Sequence, residues 1–303
     1  MQLDQTYPSI ALDLEALAQD PYPQLAELQA DAPIAYVPQL DAVVLTKHAD
    51  IDVCEKNIVV FSSDQPGGLM TELMGANMMR KDGPAHKRER LAAMPALSMK
   101  TARQVWQQAF EEDCKRLLDR FEGRECIDLV LDFATVLSGM ALIRVTGLLD
   151  ASPQDMDRWS QAMIDGISNF AGLPEPARRC KSALAELDTH IEARRRVYAT
   201  APDTSLTSTL MRTDLSPEAQ TANVRLAISG GQNEARDVIA GAIWALLSHP
   251  EQLDLALSAQ VSWAQVFAEY VRWMAPIGMS PRRIAQSFDY GEGRFVPGSK
   301  AML

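Results

Sequence analysis

A mainly α-helical fold with a small β-sheet is what this sequence predicts, on three observations. Apolar residues recur at spacings of three and four over 102–121, 128–148, 154–170, 177–199, 217–248 and 262–274. Strand-like runs are few and short, confined to APIAYVP and AVVLT within 32–46 and to the last two dozen residues. No repeat, low-complexity tract or long Pro/Gly-rich linker divides the 303 residues, so a single domain spanning 1–303 is the simpler organisation.

In chain order, the opening MQLDQTYPSI carries neither a basic stretch nor an apolar run of the kind that leads a secreted chain. APIAYVP followed by AVVLT then predicts a small hairpin. Pro84 marks a helix start. Ser216-Pro217-Glu218 supplies an N-cap, a first-position proline and an acidic first turn for the helix that runs to Ser248, and His249-Pro250 stops it. SPRRIAQSFDYGEGRFVPGSKAML reads as two strands around a Gly-rich turn. Leu303 falls inside a strand-like run with no closing element, and the expectation is that the chain has been cut there.

Composition bounds the function. Hydrophobic residues are 47% and charged residues 23%, which is ordinary for a soluble globular protein, and a net charge of −11 disfavours a nucleic-acid partner. AGAIWALL, at 240–247, is too short to span a bilayer, so the expectation is a cytoplasmic protein with no membrane partner. Cys54, Cys114, Cys126 and Cys180 form no C-x-x-C pair and have no histidine at ligand spacing; they read as reduced thiols, and no residue is assigned to a metal. Arg and Lys near Cys114 and Cys180 favour a thiolate on one reading, and on the other these are plain helix-surface cysteines.

Three constellations carry possible chemistry. First, Gly230-Gly231-Gln232-Asn233-Glu234 interrupts an apolar stripe, and paired glycines inside a helix imply either a kink at a packing contact or something large against the backbone. Second, Arg80, Lys81, Lys87, Arg88, Arg90, Lys100 and Arg103 stand against only Asp82 and Glu89. His86 and Arg90 lie four apart in the first turns of a helix, where cations are disfavoured unless an anion faces them; the alternative is a solvated basic patch. Third, Glu269 and Arg272 can pair three residues apart, and Val266, Phe267, Tyr270, Val271 and Trp273 around them favour a partly buried structural pair.

Taken together these residues resemble a bacterial cytochrome P450. DPYPQLAELQADAPIAYVPQLDAVVLTKHADI and the later FSS are similar to that family's amino-terminal region, and DGPAHKRER to its C-helix. NVRLAISGGQNEARDVIAGAIWALLSHPEQL is similar to its distal I-helix, and AEYVRWMAP to its K-helix with the E-x-x-R pair. Order and spacing agree from about residue 20 to the last residue.

The resemblance implies a P450 fold, incomplete at the carboxyl end after the K-helix and its strands. It implies haem b, and oxidation of a small hydrophobic substrate with O2 and electrons from a ferredoxin-type donor. Carried over, His86, Arg90 and Arg283 would bind the haem propionates, and Gly230 and Gly231 would let the helix pass over the haem. Asn233 and Glu234 stand where the family has an acid and a threonine that organise protons. The family's axial cysteine follows the K-helix, and all four cysteines here precede the I-helix, so the resemblance implies an axial ligand absent from this chain and a chain inactive by itself. Arg80, Lys87, Arg88 and Arg103 would attract the donor. Substrate contacts are expected from 64–79, 166–176 and Ile277 to Met279. Two other readings stand beside this one: a non-catalytic P450-like binding or scaffold protein, and an unrelated all-α ligand-binding protein.

Overall fold

The computed structural model describes residues 6–303; residues 1–5, where MQLDQTYPSI begins, lie outside the described residues. Two compact units emerge. One holds the chain through Pro66, Met79–Lys87 and Gly278–Leu303; the other holds Gly67–Met78 and Arg88–Ile277. The division falls inside the helix Gly83–Leu97, between Lys87 and Arg88.

The first unit is built on a five-stranded sheet. β1 (Ile34–Val37) and β2 (Ala42–Leu45) form the expected hairpin, antiparallel with Ile34 opposite Leu45 and Val37 opposite Ala42. Asp41 turns the connection at φ 48°, a left-handed conformation that Asp tolerates better than most residues. β3 (Phe61–Ser62), β4 (Pro281–Ile284) and β7 (Lys300–Met302) complete the order β1-β2-β7-β4-β3. The Gly-rich turn near the end joins β5 (Phe288–Tyr290) and β6 (Gly293–Phe295) as a separate hairpin, with Gly291 at φ 58°.

The expected pair of terminal strands is therefore four. Flanking the hairpin, β4 and β7 pair with each other and with segments some 220 to 260 residues earlier, which local patterning does not report. Phe61 and Phe295 meet edge-on at 4.8 Å in the core beneath the sheet, with Val43, Cys54 and Tyr7 beside them. Tyr7 lies so close to Gly293 that a Cβ there would fall 2.4 Å from its ring.

The second unit is helical. Helices span Gln107–Asp119, Thr135–Thr146, Pro153–Ile167, Pro174–Tyr198, Pro217–Ser229, Gln232–Ser248 and Trp263–Trp273, with shorter ones between. Two expected helices begin with a wider π turn, Ala102–Trp106 and Leu129–Ala134. Caps follow the sequence: Ser152 and Asp155 close one capping box, Ser262 and Gln265 another, and the Ser216 hydroxyl accepts from the Ala219 amide. Trp159, Met156, Met163, Leu187, Leu206 and Ile228 are fully buried at the centre.

Among the described residues Leu129–Thr146, not 240–247, is the stretch long and apolar enough by length and composition to cross a bilayer, with mean hydropathy 1.7. Here it packs among helices of this unit, and Arg144 near its end donates to the buried Asp113 of Gln107–Asp119 at 2.5 and 2.7 Å. A lone stretch of this kind is also what the core helix of a globular domain looks like.

Candidate active site

The long helix is broken where its sequence is broken. Pro217–Ser229 ends and Gln232–Ser248 begins across Gly230 and Gly231, and the amide of Gly231 reaches Ile228 O at 3.4 Å. The two glycines answer to different constraints. A Cβ on Gly231 would fall 2.4 Å from the Ala227 carbonyl and 3.1 Å from Leu142, so the break itself requires glycine there. A Cβ on Gly230 would meet only Leu226 O at 3.5 Å and Glu234 Oε1 at 3.9 Å, so the helix surface at this exposed position is bare.

Three buried oxygens follow without a hydrogen-bond partner: Gln232 Oε1, Asn233 Oδ1 and Glu234 Oε2. Burial pushes the Glu234 carboxyl above its ordinary pKa. The Asp237 charge adds to this, while a hydrogen bond from its own backbone amide and the charge of Arg236 oppose it. Arg236 is itself held by Asp157 at 3.0 Å and Asp237 at 2.9 Å. From Glu234 an open apolar groove runs along Val238 and Ala242, walled on the other side by Trp263, Phe267 and Val271 of Trp263–Trp273. Residue types alone did not mark this groove; the four-residue spacing of Glu234, Val238 and Ala242 was the signal available.

Several sequence expectations need correction. Glu269 and Arg272 do pair, through two 2.7 Å hydrogen bonds, but their side chains are 65% and 69% exposed instead of partly buried. The apolar neighbours did not imply burial, because Trp263–Trp273 has no buried residue and Phe267 and Trp273 are exposed with the pair. Within 64–79, expected to contact substrate, Leu69–Met74 is a helix whose Met74 is instead fully buried in the core of the helical unit. Phe170, Ile277 and Met279 are exposed.

Cys180 is fully buried rather than at a helix surface. Its thiol is pushed up by burial, which outweighs the charges of Arg225 and Lys181, and burial also raises the Cys114 thiol. Arg80, read as part of an exposed basic patch, has its Nε buried, and Arg88 is ion-paired with Asp214 at 2.8 Å.

The carried-over propionate residues are placed as follows. His86 and Arg90 lie four apart in Gly83–Leu97, His86 partly buried and Arg90 exposed. Arg283, in β4, donates from Nε to Asp64 O at 2.9 Å and has the Asp64 carboxylate at 3.8 Å.

Haem, which the resemblance implies, can be tested against these side chains. The bare surface at Gly230, the three orphaned oxygens and the adjoining apolar groove suit the distal side of such a group. The four cysteines do not suit its sulfur side. Cys54 is sealed in the sheet core with its thiol pushed up to about 12, Cys180 and Cys114 are raised by burial, and Cys126 lies exposed beyond any helix. Among the described residues no group of three or more His, Cys, Asp or Glu could hold a metal ion.

Comparison with known proteins gives a consistent answer. No family model matches the chain. It is 25% identical over 305 aligned positions to cytochrome P450 107B1 of Saccharopolyspora erythraea, covering 92% of this chain and 72% of that protein. It is 22% identical over 300 positions to the vitamin D(3) 25-hydroxylase of Pseudonocardia autotrophica, covering 94% and 72%. Among solved structures it superposes on CalO2 with a TM-score of 0.84 at 21% identity, covering 96% of this chain and 76% of that one. P450BioI, in complex with an acyl carrier protein bearing hexadec-9Z-enoic acid, matches with a TM-score of 0.83 at 20% identity, covering 96% and 78%. In sequence and in its mainly helical fold with a small sheet, this chain is a homologue of the bacterial cytochromes P450, a family of haem-dependent oxidoreductases.

Proposed function

We propose that the chain is the haem-binding framework of a cytoplasmic monooxygenase that oxidises a small hydrophobic organic substrate with O2 and electrons from a ferredoxin-type donor, without nucleic-acid or membrane partners. The observation that carries this reading is the bare helix surface at Gly230 beside the buried, partnerless Glu234 Oε2, in a chain homologous to P450s. When bound, haem supplies the oxygen-activating iron chemistry.

The rest of the reading concerns this chain's own residues. Glu234, its pKa raised by burial, holds a proton more readily than an ordinary glutamate and can release it beside Gly230. Asn233 Oδ1 offers an acceptor on the same turn. His86, Arg90 and Arg283 would bind the propionates; for Arg283 this means exchanging its contacts with Asp64. The groove from Val238 to Phe267 offers apolar walls to an apolar ligand. Lys87, Arg88 and Arg103 draw in an acidic electron donor, with Arg88 weakened for this task by Asp214.

Because burial disfavours the thiolate at Cys54, Cys114 and Cys180, and Cys126 lies exposed outside any helix, the 303-residue chain by itself is proposed not to turn over. The same observation favours a second reading, a non-catalytic P450-like binding or scaffold protein. Titrating haem into the purified chain and following its visible absorption separates the two. Saturable uptake, weakened by Gly230→Leu with circular dichroism unchanged, is expected. No saturable uptake, with an apolar dye still bound in the groove, would leave the binding-protein reading.

A further inference from the structure

Arg80 ends a short 3-10 turn, Met78–Arg80, and two residues later Asp82 fastens the chain to the sheet: its carboxylate accepts from Ser62 Oγ at 2.5 Å and from the Ser63 amide at 3.1 Å. Ser62 is the register partner of Arg283, so this stretch docks at β3 next to the strand that carries Arg282. Arg282 is 14% exposed. Its Nη1 donates to Ser280 Oγ at 2.5 Å and Pro281 O at 3.1 Å, both neutral, and its one carboxylate among the described residues, Glu55, stands 4.0 Å away on an exposed side chain. The Nε of Arg80 is buried with no acceptor, and Arg80 enters no ion pair among the described residues.

Two other largely buried arginines are matched by acids: Arg225 has Asp188 at 2.5 Å and Arg236 has Asp157 at 3.0 Å. Arg195 also keeps a buried Nε without an acceptor, with Glu192 at 4.0 Å, but its Nη2 donates to Pro217 O, Gln220 and Thr221. Taking a guanidinium out of water without an anion is costly, and two neighbouring ones repel as well. Burial, and then the charge of Arg282, accordingly disfavour the charged form of Arg80. Asp82, the nearest acid in sequence to Arg80, is occupied by Ser62 and Ser63.

We infer that Arg80 and Arg282 form a binding site for an organic carboxylate, whose planar pair of oxygens matches the forked donors of guanidinium groups. The site stands on these two arginines and does not depend on the oxidative reading. A free organic acid and a haem propionate share the required chemistry, and the test distinguishes them.

Calorimetric titration of the 303-residue chain with decanoate and with methyl decanoate is the first arm. Decanoate should bind about tenfold or more tighter than its ester, and Arg80→Gln and Arg282→Gln should each remove most of that preference while leaving ester binding unchanged. Arg80→Lys, which keeps the charge but not the fork, should restore part of it and guards against misfolding as the cause. The second arm titrates haem and haem dimethyl ester into wild type and Arg80→Gln; a loss confined to unesterified haem, with decanoate unaffected, assigns the site to a propionate. If neither carboxylate probe binds in a manner that depends on Arg80, the inference is wrong.

Discussion

The Tyr270 hydroxyl occupies the space that a side chain on Gly241 would need: a Cβ there would lie 1.7 Å from the hydroxyl oxygen and 2.5 Å from Cζ. This close approach seats Trp263–Trp273 on Gln232–Ser248, and beside it Trp244 and Trp273 stack with ring centroids 6.5 Å apart and planes 6° apart. Gly241→Ala should push Tyr270 and its helix outward at a cost of about 1–3 kcal/mol, the usual range for overpacking. A shift in tryptophan fluorescence together with a lower denaturant midpoint is the expected result; unchanged fluorescence would mean that the two helices are not seated through this contact.

Gly230 and Gly231 should respond differently to the same change. Gly231→Ala drives a Cβ into the Ala227 carbonyl, backbone that cannot swing aside, and should destabilise the chain by about 1–3 kcal/mol. Gly230→Ala meets no such obstacle and should leave the urea midpoint close to wild type. Equal losses at both positions would show that the break is held by something other than the Ala227 contact.

Acid sensitivity should centre on Asp113, whose side chain is 2% exposed between Arg144 and Arg116. Burial pushes its carboxyl up, but hydrogen bonds and charge from Arg144 and then Arg116 outweigh this and hold it below the usual carboxylate range. A folded-state pKa lower than the unfolded one contributes stability above the ordinary carboxylate range and loses it as pH falls through the folded value. Wild type should therefore exceed Asp113→Asn in stability most clearly near neutrality, with the gap closing on acidification. Arg144→Ala, measured at neutral pH, should cost about 2–3 kcal/mol, short of a fully buried pair because Arg144 is partly exposed. A gap that widens at low pH would contradict this assignment.

Arg272→Ala should leave the denaturation midpoint of this chain unchanged, since Glu269 and Arg272 are open to water on both sides and an exposed pair gains little over its hydrated partners. The difference in midpoint between wild type and Arg272→Ala should stay near zero at low and at high ionic strength. A large drop in midpoint would mean that the pair is covered in solution by a surface that the described residues do not supply.

Much of the fold was legible because its signals are local. Helical periodicity, serine caps and proline starts depend on neighbours within a turn or two, and they placed the main helices to within a few residues, including the break at Gly230-Gly231. The β1–β2 hairpin was legible for the same reason. The four motifs in order carried the family resemblance, which homology and fold then supported.

What the sequence by itself determined was therefore the helical class, the helix boundaries, the hairpins and the position of Glu234 one turn beyond a broken stripe. Tertiary structure alone decided which strands complete the sheet, that Glu269 and Arg272 face water, that Gly231 and not Gly230 is demanded by packing, and that Arg80 is half-buried with its Nε lacking an acceptor. The physical reason is common to all four. Burial and electrostatic pairing depend on segments far apart in the chain, and a residue's neighbours in sequence do not specify what the fold brings against its side chain.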